Sequence, residues 1–123
     1  MKKGLISTGL MMFVLIFGCP VAAFAHAHLE KSDPADGAKL TTAPTKVQAW
    51  FSEKVAAEWS KIRVMDSDGK QVDTGNVSND GDPRHLSVEV PALPAGEYTV
   101  KLNVISGDGH RVLGRFSFTI DDQ

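Results

Sequence analysis

Cysteine is nearly absent from this chain: of its 123 residues only Cys19 is one. No intrachain disulfide can form, nor any Cys-x-x-Cys metal or redox pair, so the fold must rest on its core or on a bound ligand. Sustained helical periodicity is missing as well. No segment beyond residue 25 carries a 3.6-residue apolar stripe for ten residues, and Val55 to Ser60 has room for one helical turn at most. Basic runs are lacking, with 13 Lys and Arg against 15 Asp and Glu. Nucleic acid and anionic membrane surfaces are therefore poor partners on composition. The one long apolar run, Leu5 to Phe17, is too short to span a bilayer. There is no Ser/His/Asp order, no phosphate-cradling glycine loop, no internal repeat and no low-complexity tract.

What is present begins with an export signal. Lys2 and Lys3 form a positive region, the Leu5 to Phe17 run follows, and Ala23-Phe24-Ala25 is an A-x-A cleavage signature. Residues 1–25 are expected to be removed, leaving one domain, 26–123, that starts at His26 and lies in the periplasm. It carries the net charge −4 once Lys2 and Lys3 are gone. Two other processing points exist. Ile16-Phe17-Gly18-Cys19 loosely matches a lipoprotein box, with Phe17 bulky for its position, and Ala25-His26-Ala27 would expose His28 instead.

Short alternating segments then recur every 8–12 residues or so, the spacing of an all-β sandwich. Strands are predicted at Ala27 to Lys31, Lys46 to Phe51, Lys61 to Met65, weakly at Gln71 to Thr74, and around Leu86 to Val90, Tyr98 to Val104 and Phe116 to Ile120. Residues 76–83, NVSNDGDP, read as loop. Gly96 followed by Tyr98 at a strand start suggests a tyrosine corner, in which the phenol ties a crossover to nearby backbone. The expectation is an immunoglobulin-like Greek-key sandwich of about seven strands, with Trp50 and Trp59 in packing and rim positions.

All four histidines lie beyond the signal: His26, His28, His85 and His110. A histidine at a chain terminus offers its α-amine and its ring Nδ1 to one ion. Their reference pKa values, about 7.7–8.0 and about 6.5, let a metal displace the protons near neutrality. Nitrogen and oxygen donors in tetragonal array suit Cu(II) or Ni(II), and copper has the higher intrinsic affinity. Partners must come from elsewhere. Asp108-Gly109-His110 can present a carboxylate and an imidazole on one side of the chain, although D-G also reads as a plain hairpin turn with a bystander histidine. Glu53, after the Lys46 to Phe51 strand, can orient a ligand, bind the metal weakly itself as an auxiliary ligand, or be a solvated acid. His85 matches no such pattern and is expected at the surface.

Three stretches in order, HAHLEKSDPADGA after the signal, FSEKV, and LPAGEYTVKLNVISGDGHRVLGRFSFTI, resemble the CopC-type (CopC/YobA-like) copper-binding domain over essentially the whole processed chain. The resemblance implies a periplasmic copper-binding protein of copper homeostasis or resistance, holding one Cu(II) ion. Its metal ligands carry over to His26 through amine and ring, and to Asp108 and His110 of the D-x-H motif, with Glu53 beside the site. It also implies an inner-membrane copper transporter of the CopD type as the partner. His28 is an auxiliary ligand or a surface residue. Some members hold Cu(I) in a methionine-rich loop. The matching region here has Met65 alone, since Met1, Met11 and Met12 leave with the signal, so a thioether site is not expected.

Two other function classes compete. A terminal-histidine brace with a second histidine also occurs in copper monooxygenases, but an anionic Asp108 ligand would fill the position oxygen needs, so no enzymatic activity is expected. A metal-free immunoglobulin-like interaction module would show no copper affinity.

Overall fold

The computed structural model describes residues 27–122; the predicted signal, its cleavage point and His26 lie outside them. The described chain is two four-stranded sheets. Strands β1 (Leu29–Asp33), β3 (Lys46–Phe51), β6 (His85–Glu89) and β5 (Val77–Ser78) form one sheet in the order β1-β3-β6-β5. Strands β2 (Ala38–Leu40), β8 (Arg111–Ile120), β7 (Gly96–Ile105) and β4 (Lys61–Met65) form the other, in the order β2-β8-β7-β4. One turn of 3-10 helix, Ala57–Trp59, leads into β4. The expected immunoglobulin-like sandwich is the fold.

Period-2 alternation sets the core. Val47, Ala49 and Phe51 of β3, with Leu86 and Val88 of β6 in the same sheet, form one core with Ile62 and Val64 of β4, Tyr98, Val100, Leu102 and Val104 of β7 and Phe116, Phe118 and Ile120 of β8, all buried. Fully burying a Val, Leu, Ile or Phe side chain contributes about 1.5–3 kcal/mol. Such a core takes the place of the disulfides this chain cannot make. Tyr98 donates its phenolic O–H to the Pro94 carbonyl at 2.6 Å, so the tyrosine corner is present.

Eight strands replace the expected seven. The extra β2 pairs in parallel with the far end of β8, Ala38 against Phe118. The weak strand at Gln71 to Thr74 reduces to a single bridge between Met65 and Gln71. Instead Val77–Ser78, inside the stretch read as loop, pairs with β6. This second difference corrects His85. Residues 76–82 fold over the outer face of β6, so His85 is 5% exposed rather than at the surface. Its Nδ1 meets the Asn79 carbonyl at 3.1 Å, its Nε2 meets Gln48 Oε1 at 3.0 Å, and its ring lies 4.8 Å from that of Trp50.

Candidate metal centre

The two long strands β7 and β8 pair without interruption from Gly96 and Ile120 to Ile105 and Arg111, which leaves Ser106 to His110 as the hairpin tip. Gly109 takes φ +89, a value that favours glycine because it has no Cβ. The tip closes with Ser106 N–H to the His110 carbonyl at 2.8 Å and Gly109 N–H to the Ser106 carbonyl at 2.9 Å. Asp108 and His110 are thereby brought together: Oδ2 of Asp108 lies 3.0 Å from Nδ1 of His110, with side chains 46% and 59% exposed.

Ser106, which reading the sequence missed, organises this pair. Only 2% exposed, it donates its hydroxyl to Oδ1 of Asp108 and accepts the His110 backbone N–H at 3.2 Å. A serine two residues before an aspartate in a tight turn is the signal that could have pointed to it. The Ser106 hydroxyl, and after it the His110 ring, hold the Asp108 carboxyl down to about 2, below its ordinary 3.8. The turn therefore presents an anionic oxygen donor at any pH above that.

The tip rests on the segment that follows β3. Gly107 N–H bonds to the Lys54 carbonyl at 2.8 Å, and Val55 bridges to Ser106. A Cβ on Gly107 would lie 3.4 Å from both Cβ and the carbonyl oxygen of Lys54, so the two backbones touch. The same segment holds the start of the described chain. Ser52 N–H donates to the His28 carbonyl at 2.9 Å, and the His28 N–H donates to Ser52 Oγ at 3.0 Å. Phe51 and Val55 bond the other way, to Arg84 and Pro83. Ser52 and Lys54 of this one segment thus bond to His28 and Gly107.

Glu53 is exposed there and lines a cleft of about 300 Å³ with Lys54, Arg84, Gly107 and Asp108. Arg84 carries no sequence signal for that position. His28 is exposed, with its backbone amide already bonded to Ser52. Among the described residues no group of three or more His, Cys, Asp or Glu gathers as a metal site. The pair at the tip offers one oxygen and one nitrogen donor. That chemistry fits a borderline divalent ion such as Cu(II), although two donors alone do not complete a coordination set.

A small β-sandwich with an oxygen–nitrogen pair on an end hairpin, next to the incoming chain, is the class that fold and site define. The family model described as the CopC domain matches residues 29–121, and the chain belongs to the CopC family. It is similar to Copper resistance protein C of Escherichia coli, 31% identical over 130 residues that cover 98% of this chain and 97% of that protein. Copper transport protein CutJ of Bacillus subtilis (strain 168) is 34% identical over 113 residues, 90% of this chain but only 21% of that longer relative. Among solved structures, CopC from Methylosinus trichosporium OB3b superposes with a TM-score of 0.74 at 35% identity, covering 78% of this chain and 94% of that one.

Proposed function

We propose that this protein is a periplasmic copper carrier that captures one Cu(II) ion between the α-amine and ring of a mature N-terminal His26 and the side chains of Asp108 and His110. The names of its relatives, a copper resistance protein and a copper transport protein, supply the metal. The reading rests on one observation: the short segment Ser52 to Lys54 hydrogen-bonds both His28, two residues after the proposed N-terminus, and Gly107 of the hairpin tip. Two residues of chain span at most about 7 Å, so this shared segment supports a ligand set that joins residue 26 to the Asp108–His110 pair. An anionic oxygen beside neutral imidazole nitrogen favours the divalent, oxidised ion over Cu(I). Holding and handing on the ion suits such a donor set better than turnover, and no enzymatic role is assigned.

His28 is the natural rival for the ion. A terminal amine followed by histidine at the third position can wrap Cu(II) through the two intervening amides, which must then lose their protons. One of them, the His28 N–H, is bonded to Ser52 Oγ, so this mode competes with the fold. Glu53, on the same cleft as Asp108, is assigned to orienting a nitrogen ligand by hydrogen bond. An inner-membrane copper transporter of the CopD type is the expected recipient.

The test is a Cu(II) titration of the chain beginning at His26 against the same chain with one serine before it. The extension turns the amine into an amide, and affinity should fall by orders of magnitude while circular dichroism stays unchanged. Equal affinity in the two proteins overturns the proposal, as does a mass for the exported chain that starts at another residue.

A further inference from the structure

The outer edge of β8 is only partly covered. Strand β2 reaches Phe118 to Ile120, and the last groups on that edge are Gly37 N–H on the Ser117 carbonyl at 2.7 Å and Asp36 Oδ1 accepting the Ser117 N–H at 3.1 Å. Backbone direction alternates along a strand, so the N–H and C=O groups of Leu113 and Arg115 point the same way as those of Ser117, away from β7. Among the described residues no strand pairs with them. The side chains there are unusual too. Leu113 is 72% exposed. Its neighbour Gly114, on the inward side, is also exposed and puts no side chain over Leu102. A bare edge with an apolar residue outside and a gap inside is a template for a further strand.

The charges choose the occupant. Register across the sheet sets Arg63 opposite Lys101 and Lys101 opposite Arg115 on the outer face. Arg111 stands two residues from Leu113 on the other side, and Arg63, Lys101, Arg111 and Arg115 are all exposed. Like charges placed directly opposite one another are unfavourable in an isolated sheet, and none of these four is in an ion pair among the described residues. Glu97 sits further along the face, opposite Thr119. Pairing two copies antiparallel about Leu113 would set Arg111 of each against Arg115 of the other, so self-association is disfavoured. This basic row is invisible in the sequence, where its members stand in three separate strands.

We propose that the free edge of β8 from Arg111 to Arg115 accepts an extended acidic segment of a partner protein as an added strand. Its carboxylates would lie opposite Arg111 and Arg115, and its alternate apolar residues over Gly114. Such a strand would end beside Asp108 and His110, yet its binding does not depend on the metal reading.

The probe is a capped seven-residue peptide alternating glutamate and valine, compared with its lysine-for-glutamate counterpart and with a form N-methylated at alternate residues. The protein should bind the glutamate peptide saturably, with and without Cu(II). Amide exchange at Leu113 and Arg115 should slow by about tenfold or more, while the N-methylated and lysine peptides bind at least about tenfold more weakly. In the doubly substituted Arg111→Glu, Arg115→Glu protein, checked for fold by circular dichroism, preference should switch to the lysine peptide. Absence of saturable binding overturns the proposal, leaving the cations as guards against edge-to-edge aggregation. Equal binding of the N-methylated form also overturns it, because charge alone would then account for the attraction. So does sedimentation with phosphatidylglycerol vesicles that the glutamate peptide cannot displace, which would make the face a lipid contact.

Discussion

Two aspartate–histidine pairs in this molecule invite opposite conclusions. At the hairpin tip, His110 Nδ1 lies 3.0 Å from Asp108, and the ring is 59% exposed. On the outer face of β6, His85 Nδ1 lies 3.9 Å from Asp80 with its side chain 6% exposed. Both of the buried ring's nitrogens are engaged, by the Asn79 carbonyl and Gln48 Oε1, and Trp50 covers a face. A metal can use a histidine only where a ring nitrogen can be turned to it at small cost. His85 would have to give up two bonds inside the protein, each costly to leave unmade. Proximity to a carboxylate therefore does not mark a candidate ligand by itself; an exposed ring next to a second donor does.

The sharpest way to break this contrast is to exchange the roles of the two histidines. His110→Ala or Asp108→Ala is expected to weaken Cu(II) binding by orders of magnitude, read by competition titration, with the fold retained by circular dichroism and only a small loss of stability because both side chains are exposed. His85→Ala should do the reverse. Copper affinity should hold, while stability falls by about 2–3 kcal/mol as the Asn79 carbonyl loses its partner and a cavity opens under Trp50. Copper binding that fails in His85→Ala and survives in His110→Ala would invert the assignment.

A smaller effect tests how the tip is built. Ser106→Ala removes the hydroxyl that does most to keep the Asp108 carboxyl low. The carboxyl should move back toward its ordinary value, and Cu(II) affinity should drop by about tenfold, the usual scale for a group that orients a ligand. If affinity is unchanged, the carboxylate needs no such support and its position is fixed by the turn backbone alone.

The same contrast explains what could be read from the chain. Strands β3, β4, β7 and β8 announce themselves, because Val47, Ala49 and Phe51, or Tyr98 through Val104, alternate cleanly with polar residues and bury one face. β2 does not, since Ala38-Lys39-Leu40 is three residues long and owes its place to a parallel pairing with β8, Ala38 against Phe118, eighty positions away. The burial of His85 was equally hidden. Alternation put it on the outer face of β6, and it was the two-residue strand Val77–Ser78, with the turn at Asn79 and Asp80, that roofed that face over. Asp108 and His110 were legible because their contact is local, two residues apart in a turn. Their junction with the incoming chain was not, because it passes through Ser52 and Lys54, which act through backbone atoms any residue would supply apart from the one bond that Ser52 Oγ accepts from the His28 N–H.

Acid offers the finest test, and the sign follows from the direction of the shift. The Asp108 carboxyl is held at about 2 in the folded protein against 3.8 ordinarily. A depressed value means its contribution to folding is complete above the ordinary carboxylate range and is lost as pH falls through about 2. Between those limits the unfolded chain takes up the proton first, so wild type and Asp108→Asn should run parallel at higher pH and converge only in strong acid. Copper release should then begin well above that range, driven by protons returning to nitrogen. A terminal amine and imidazole, with reference values of about 7.7–8.0 and about 6.5, compete with the ion long before this carboxylate does. Asp108→Asn is thus expected to lower affinity at every pH from about 4 to about 7.5 while leaving the slope of log affinity against pH as it was. A slope that changes in the variant would mean Asp108 itself exchanges a proton on binding, and the tip would then be a proton-coupled donor instead of a standing charge.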